Sequence, residues 1–218
     1  MGALTKLFGR FRARAAEKLG ERDGDEAKET WLVAGLGNPG ERYRRTRHNL
    51  GFMVIDHLAH KLNAGPAVAK FEARVAQAQL NARARLLLVQ PQTFYNQSGR
   101  SVAAVARYFR VPQQRLIVVH DDLDLEAGRL KIIARGSDAG NRGVRSLHAA
   151  FGSTEIARVR LGIGRPKPNR DPVEFVLYQM SEAELAAMRE VIERAAQAVE
   201  AIIRDGVAAA MNLYNQRG

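Results

Sequence analysis

Apolar segments of strand length alternate with amphipathic helical segments along most of this chain. Residues 31–36 are a continuous apolar run that ends in glycines, and residues 116–120 form a second such run. Runs without polar alternation are typical of strands that are covered on both faces by helices. After the first run, Leu50, Val54 and Leu58 recur at helical spacing. This alternation predicts an α/β fold.

The remaining segments complete a single domain from residue 31 to residue 218. Two runs with strand character turn near Asn81, which predicts a hairpin and therefore a mixed sheet. Ser181 and Glu184 have the spacing of a capping box, and Asp205-Gly206 is the predicted end of that helix. We expect a twisted mixed β-sheet flanked by helices, with strands also at residues 71–80, 86–90, 130–134 and 159–163 and helices at residues 50–62, 102–109, 144–151 and 181–204.

Residues 1–30 differ in composition from the rest of the chain. Apolar residues recur at helical spacing between residues 4 and 15, basic residues lie beside them, and an acidic cluster follows around Gly20 and Gly24. The pattern predicts a basic amphipathic helix and a flexible acidic linker. Two interpretations stay open, a poorly ordered tail and an anchor for RNA or a membrane surface.

The charge balance indicates the kind of partner. The 218 residues include 34 Lys and Arg against 23 Asp and Glu, a formal net charge of +11. This excess favours a polyanion, and nucleic acid suits a compact domain better than a membrane. The chain has no cysteine, no signal peptide, and no apolar stretch near the roughly 18–20 residues that span a membrane. We therefore expect a cytoplasmic monomer without stable membrane association.

The first predicted strand ends in a glycine-rich segment. Residues 35–40 match the dinucleotide-binding pattern G-x-G-x-x-G. The context argues against that cofactor, because residues 41–49, where a helix should begin, are almost entirely polar and Pro39 lacks an amide donor. We expect no dinucleotide cofactor. The glycines instead predict a turn that places the Asn38 amide at the rim of the sheet, where open α/β folds bind ligands.

A basic loop follows between the strand end and the next helix. Residues 42–49 contain four arginines with Tyr43 and His48 among them. Such a loop is typical either of phosphate binding with one stacking ring or of a solvated surface. A histidine between a strand end and a helix start commonly faces a cleft, which favours the first interpretation.

Three more polar segments lie at predicted strand ends or helix starts. In residues 90–99, Asn96 either caps the next helix or supplies a carboxamide beside an exposed aromatic pair. In residues 120–124, three aspartates could bind magnesium, or one of them could orient a histidine. Residues 136–143 form a glycine-rich turn with many backbone donors.

These side chains have the chemistry that ester hydrolysis needs. An imidazole can take a proton from water, and a carboxylate on its other nitrogen fixes the tautomer. Asparagine amides can donate to an oxyanion or bind a peptide unit. The chain has no G-x-S-x-G motif, so direct attack by water is favoured over a serine nucleophile.

From residue 31 onward the sequence resembles bacterial peptidyl-tRNA hydrolases. Four motifs carry the resemblance in the family's order and spacing: G-L-G-N-P-G-x-x-Y-x-x-T-R-H-N-x-G-F from Gly35 to Phe52, P-x-T-F-x-N-x-S-G from Pro91 to Gly99, V-x-H-D-D-L-D-L-x-x-G from Val118 to Gly128, and R-x-R-L-G-I-G-R-P from Arg158 to Pro166. The resemblance implies a single α/β domain. It also implies cofactor-free and metal-free hydrolysis of the ester between a peptide and tRNA, which recycles tRNA.

The resemblance also implies roles for individual residues. His48 matches the catalytic histidine of the family, and Asp121 matches the acid paired with it. Asn38 and Asn96 match the asparagines that position the peptide, and Tyr43 matches the ring near the tRNA 3′ end. The full set of expected substrate-binding residues is Asn38, Tyr43, Phe94, Tyr95, Asn96, Asn141 and Arg142. Lys131 and Arg160 match the basic residues that face the tRNA acceptor stem. With those that the basic loop and the charge excess suggest, the expected tRNA-binding residues are Arg44, Arg45, Arg47, Lys131, Arg158 and Arg160. Arg47 has a second interpretation, as a partner of a carboxylate that holds the loop.

Two positions depart from the family's pattern. Asn141-Arg142-Gly143 stands where the family usually has H-N-G. Either Asn141 takes the place of the family's asparagine from one position earlier, or Arg142 has a different role. Tyr95 stands where the family usually has methionine, a change that could reshape the peptide groove.

Two other functions stay open beside the hydrolase. Chloroplast splicing factors resemble the same family, so one is a non-catalytic RNA-binding protein on the same fold. The other is a magnesium-dependent phosphoryl-transfer enzyme that uses Asp121, Asp122 and Asp124. Turnover of an N-blocked aminoacyl-tRNA separates the hydrolase from the first, and metal dependence separates it from the second.

Overall fold

Our structure is a computed structural model that describes residues 28–216. The strands within that range are β1 (Glu29–Gly35), β2 (Val68–Lys70), β3 (Ala73–Gln79), β4 (Ala84–Pro91), β5 (Leu116–Asp122), β6 (Leu130–Ile133) and β7 (Ala157–Gly162). The α-helices in the same range are α1 (Leu50–Lys61), α2 (Ser98–Tyr108), α3 (Arg142–Phe151), α4 (Pro172–Leu177), α5 (Glu182–Asp205) and α6 (Val207–Tyr214). The predicted helix and linker in residues 1–27 lie outside the described residues.

The described strands form one mixed sheet in the order β2-β3-β4-β1-β5-β7-β6. Strands β4, β1, β5 and β7 are parallel, whereas β2 and β3 at one edge and β6 at the other are antiparallel to their neighbours. The predicted single α/β domain with a mixed sheet is thus confirmed. Because the parallel strands all end at one side, the loops that follow β1, β4 and β5 meet there, as in other open α/β folds.

Helices cover both faces of the sheet. Leu32 and Ala34 of β1 pack toward the face that carries α2 and α3, while Val33 packs toward the face that carries α1 and α5. Successive side chains of a strand point to opposite faces, which explains why β1 is apolar without alternation. Each fully buried aliphatic side chain of this kind contributes roughly 1.5–3 kcal/mol.

Two glycines set how closely α1 lies against β1. A Cβ atom added at Gly35 would lie 2.2 Å from the Gly51 oxygen, and one added at Gly51 would lie 2.5 Å from the Val119 oxygen. Any side chain at either position would push α1 away from the sheet.

The glycine segment leads into a short 3₁₀ turn at Glu41–Tyr43 rather than into a helix, unlike the dinucleotide-binding arrangement.

Most predicted elements are present with shifted ends, and three were not predicted. The capping box of Ser181 and Glu184 is confirmed at the start of α5, and the hairpin turns at Asn81, whose Oδ1 accepts from two backbone amides. The unpredicted elements are β2, α4 and α6, the first two too short to carry a clear period. None of the described helices combines the length and apolar character needed to cross a membrane.

Candidate active site

His48 and Asp121 are brought together by the loop after β1 and the end of β5. His48 lies in a 3₁₀ turn, Arg47–Asn49, directly before α1. Its Nδ1 atom is 2.9 Å from Asp121 Oδ2 and 3.0 Å from Oδ1. An ionised carboxylate only accepts hydrogen bonds, so Nδ1 carries the proton and Nε2 keeps a free lone pair. The pair therefore has the arrangement of a histidine base and its orienting acid.

The surroundings of Asp121 keep it ionised although its side chain is only 3% exposed. Burial by itself would raise the pKa of Asp121. The charge and hydrogen bond of His48, the charge of His120 and the hydrogen bond from Tyr95 outweigh burial and hold the pKa of Asp121 below its ordinary value. Burial lowers the pKa of neighbouring His120 to about 4, so the charge of His120 acts on Asp121 only at acid pH and is absent at neutral pH.

A cavity of about 570 Å³ opens beside this pair. Every residue predicted for catalysis or substrate binding lines it, whereas none of those predicted to bind tRNA does. The predicted lining residues are Asn38, Tyr43, His48, Phe94, Tyr95, Asn96, Asp121, Asn141 and Arg142. Residues scattered over four loops thus face a single concave site, the usual setting for ligand binding.

Asn38 has most of its hydrogen-bonding groups occupied within the protein. Its backbone N–H donates to Asn49 Oδ1 at 2.9 Å, and its carbonyl oxygen accepts from Asn49 Nδ2 at 3.0 Å. Its own Oδ1 accepts from the Tyr95 backbone N–H at 2.9 Å. The side-chain amide of Asn38 is thus the group left for a substrate. Sequence reasoning missed Asn49, although its position next to His48 before an apolar helix was a signal.

The aromatic loop after β4 places three consecutive residues at the cavity. Phe94 and Asn96 are exposed, but Tyr95 between them is buried, so the expectation of an exposed aromatic pair is wrong for Tyr95. The N-cap of α2 is Gln97, so the interpretation of Asn96 as a helix cap is wrong. Asn96 is free to present its carboxamide at the cavity rim.

The glycine-rich loop before α3 answers the question left by Asn141 and Arg142. Asn141 caps α3, with Oδ1 accepting from the Gly143 and Val144 backbone amides at 3.0 Å each, and its Nδ2 donates to the Tyr95 hydroxyl at 3.0 Å. Arg142 is exposed and has no ion-pair or hydrogen-bond partner within residues 28–216. The Arg142 side chain is therefore available to a substrate, whereas the Asn141 side chain is engaged within the protein.

Two arginines predicted to bind tRNA have structural roles instead. Arg158 is 2% exposed and donates to the carbonyl oxygens of Ser137 and Gly136, which anchors the loop before α3. Arg47 is 12% exposed, pairs with Glu184 and lies over the Phe175 ring at 4.2 Å. Neither guanidinium is placed to meet a phosphate, so these two expectations are corrected.

Of the other four cations predicted to bind tRNA, Arg44 and Arg45 are more exposed, whereas Arg160 is 15% exposed. Arg45 pairs with Glu182, and Arg160 pairs with Asp122. Arg44 is exposed, with a loose contact to Glu41 at 3.5 Å. Lys131 of β6 lies directly opposite Arg160 of β7.

Carboxylates 121, 122 and 124 are separately neutralised rather than gathered around one point. Asp121 binds His48 and Tyr95, Asp122 pairs with Arg160, and Asp124 pairs with Arg165. Over the described range, no group of three or more His, Asp or Glu side chains is arranged to hold a metal ion. This donor set does not fit the magnesium site that phosphoryl transfer would need.

One wall of the cavity was not expected from the sequence. Val173, Val176 and Leu177 of α4 line it, and Arg165 lies at its rim. The signal was present, because Asp171 caps α4 and Pro172 occupies its first turn. A helix of six residues is too short for periodicity to reveal.

Comparisons with known proteins give the family and agree with the fold. A family model described as peptidyl-tRNA hydrolase matches residues 32–218. A peptidyl-tRNA hydrolase of Anaeromyxobacter dehalogenans is 44% identical over 186 residues, 85% of this chain and 96% of that protein. One of Mycobacterium marinum is 45% identical over 185 residues, 84% of this chain and 96% of that protein. The crystal structure of peptidyl-tRNA hydrolase from Acinetobacter baumannii matches with a TM-score of 0.77 at 29% identity, covering 88% of this chain and 97% of that one.

Proposed function

The chain belongs to the peptidyl-tRNA hydrolase family and has that family's activity, and we propose that His48, oriented by Asp121, activates the water that attacks the ester. The observation that carries this proposal is the pairing of His48 Nδ1 with both oxygens of a buried carboxylate at the cavity. In the neutral imidazole this pairing places the proton on Nδ1, so Nε2 is the nitrogen that can accept a proton, as a general base requires.

The proposed reaction has two proton transfers at His48. Nε2 takes a proton from water, the hydroxide oxygen bonds to the ester carbonyl carbon, and the Asp121 charge stabilises the imidazolium. The side-chain amides of Asn38 and Asn96 are the proposed donors to the carbonyl oxygen or the neighbouring peptide unit. The carbon–oxygen bond to the terminal ribose then breaks, and the ribose oxygen takes the proton back from His48. The products are tRNA and the carboxylic acid of the peptide, which releases its remaining proton to water.

Catalytic amounts of protein with labelled N-acetyl-aminoacyl-tRNA and labelled free aminoacyl-tRNA test the substrate class. We expect multiple turnovers of the N-blocked substrate and much slower cleavage of the free-amine form, because a peptide-binding site leaves its amides unpaired without the blocking group. Equal cleavage of both would contradict peptide recognition. Binding without turnover would instead indicate the RNA-binding alternative.

Asn96→Ala is expected to lower kcat/KM for N-acetyl-aminoacyl-tRNA by up to roughly tenfold, since a hydrogen bond to the substrate contributes about 0.5–1.5 kcal/mol net. Steady-state kinetics measure the effect. Gln97→Ala is the matched control, because this neighbouring carboxamide is exposed in the same turn but does not line the cavity. Equal losses in the two variants would remove Asn96 from the proposed peptide site.

We propose that tRNA binds across a set of cations on the side of the β6–β7 edge and the basic loop. The residues are Arg44, Arg45, Lys131, Arg142 and Arg160. Lys131 and Arg160 are cross-strand neighbours, and Lys131 has no ion-pair partner within the described range. Arg142 extends this set to the cavity rim. Phosphates can compete for the paired cation Arg45, because its ion pair with Glu182 lies at the surface, where such pairs contribute little stability.

Lys131→Ala is expected to weaken tRNA binding for all tRNA species and to flatten the salt dependence. Each phosphate contact contributes about −0.7 to −0.9 to the slope of log K against log salt, so losing one contact should reduce the slope by less than one unit. Binding titrations over a range of salt concentrations measure both effects. Arg74→Ala is the matched control, since Arg74 is exposed on β3 near the opposite edge of the sheet. Unchanged affinity for the Lys131 variant would move the proposed surface elsewhere, with residues 6–18 the next segment to test.

We also propose that this protein works in the cytoplasm as a monomer. Its substrate arises during translation, and a chain without cysteine needs no oxidising compartment. Fractionation of cells and light scattering of the purified protein test the two statements.

A further inference from the structure

Tyr95 packs directly against both residues of the proposed catalytic pair. Its ring stacks on the His48 imidazole with centroids 3.5 Å apart and an interplanar angle of 13°. On α3, a Cβ atom added at Gly143 would lie 2.5 Å from Tyr95 Cε1, so only glycine lets α3 approach this ring so closely. Tyr95 is 4% exposed. The ring is therefore held firmly, and it limits the tilt of the imidazole above it.

The hydroxyl of Tyr95 belongs to a chain of hydrogen bonds whose direction is settled. Backbone amides can only donate, so the cap of α3 fixes Asn141 Oδ1 as an acceptor and Nδ2 as the donor to the Tyr95 hydroxyl. The hydroxyl in turn donates to Asp121 Oδ1 at 3.0 Å. Asp121 thus accepts from Tyr95 on one side and from His48 on the other.

We propose that Tyr95 is a positioning residue, whose ring sets the plane of His48 and whose hydroxyl moderates how strongly Asp121 attracts the proton on His48. This inference rests on the proposed function, because it needs His48 to be the base. It differs from a role in shaping the peptide groove, since the hydroxyl is directed at Asp121 rather than at the cavity.

Most other charged groups around His48 and Asp121 are paired or neutral, so the effect of the Tyr95 hydrogen bond on the pair can be measured. Burial and the charge of Asp121 raise the pKa of Tyr95 well above its ordinary value, so its hydroxyl stays a donor. Asp122 on β5 is paired with Arg160, and Asp124 on the same side of the cavity is paired with Arg165. Buried His120 is neutral at pH 7, and Arg47 from the loop of His48 is bound to Glu184. Arg142 at the start of α3 is the remaining cation at the rim.

Tyr95→Phe separates the hydroxyl from the ring. Without this donor the Asp121 carboxylate attracts the imidazolium more strongly, so the protonated pair persists to higher pH. We expect the acid limb of the kcat/KM profile to move up by about half a pH unit or more, with KM for N-acetyl-aminoacyl-tRNA nearly unchanged. Tyr95→Met, which removes the ring as well, should also lower kcat several-fold across the whole pH range, because the imidazole plane is no longer held.

Tyr108→Phe is the matched control, because Tyr108 is 56% exposed at the end of α2 and does not line the cavity. Nitrogen NMR of the His48 ring in the wild type and the Tyr95→Phe variant follows the same titration without turnover. An upward shift there supports Tyr95 as a positioning residue even if hydrolysis itself failed, which separates this inference from the proposed function. Superimposable pH profiles and NMR titrations, or a change in KM alone, would overturn it.

Discussion

His48→Ala is expected to lower kcat for N-acetyl-aminoacyl-tRNA by about 100-fold or more, the usual contribution of a positioned acid–base group. The variant keeps the cations of the proposed tRNA surface, so tRNA affinity should change little. Single-turnover rates at saturating enzyme and a separate binding titration measure the two quantities. The loss arises because no other described side chain at the cavity pairs a free imidazole nitrogen with a buried carboxylate.

His60→Ala is the matched control for that experiment. His60 is exposed on α1, the helix that follows His48, and lies outside the cavity. Thermal unfolding of both variants checks that the loss of stacking on Tyr95 has not unfolded the domain. Near-normal turnover by a folded His48→Ala protein would show that another group is the base.

Asp121→Asn is expected to lower kcat by a similar factor of about 100. An amide in this place can direct its NH₂ group at His48 Nδ1 and so move the ring proton to Nε2, where the base should be free. The wild-type carboxylate has its pKa held below the ordinary value. Its contribution to folding stability is therefore fully present above the ordinary value and is lost as pH falls through the lowered pKa. In the variant this acid dependence should be weaker, which unfolding measurements at several pH values can follow.

Asp205→Asn gives the control for the loss of one carboxylate, because Asp205 is exposed at the end of α5 and bound only to its neighbour Arg204 among the described residues.

Chelation with EDTA should leave the wild-type rate unchanged. Loss of activity on chelation, with recovery on adding Mg²⁺, would support the phosphoryl-transfer alternative.

The elements that local chemistry specifies were readable from the sequence. The apolar run of β1 required cover on both faces, and the capping box of Ser181 and Glu184 marked the start of α5. The positions of their segments at strand ends made His48 and the three aspartates of residues 120–124 candidates, and the resemblance to the family selected Asp121 as the partner of His48. Helix α4 was not predicted, because six residues carry too little periodicity, although this helix forms one wall of the cavity.

The binding partner of each arginine could not be predicted from local sequence patterns. Arg47 and Arg158 stand in basic segments that look alike to any local rule, yet one binds Glu184, which is 137 residues away, and the other is buried against Gly136 and Ser137. A cation binds whichever acceptor packing brings within reach, so only the tertiary structure separates a phosphate contact from an internal anchor.

The sequence by itself determined the α/β fold and the capping box of Ser181 and Glu184, because hydrophobic period and capping act over a few residues. Its resemblance to the family supplied the residues of the proposed catalytic pair. The tertiary structure decided the placement of Tyr95 between His48 and Gly143 and the hydrogen bonds that link it to Asp121 and Asn141. These contacts join a loop, a strand and a helix that are distant in the chain. Their geometry depends on how closely those elements pack, which no local pattern records.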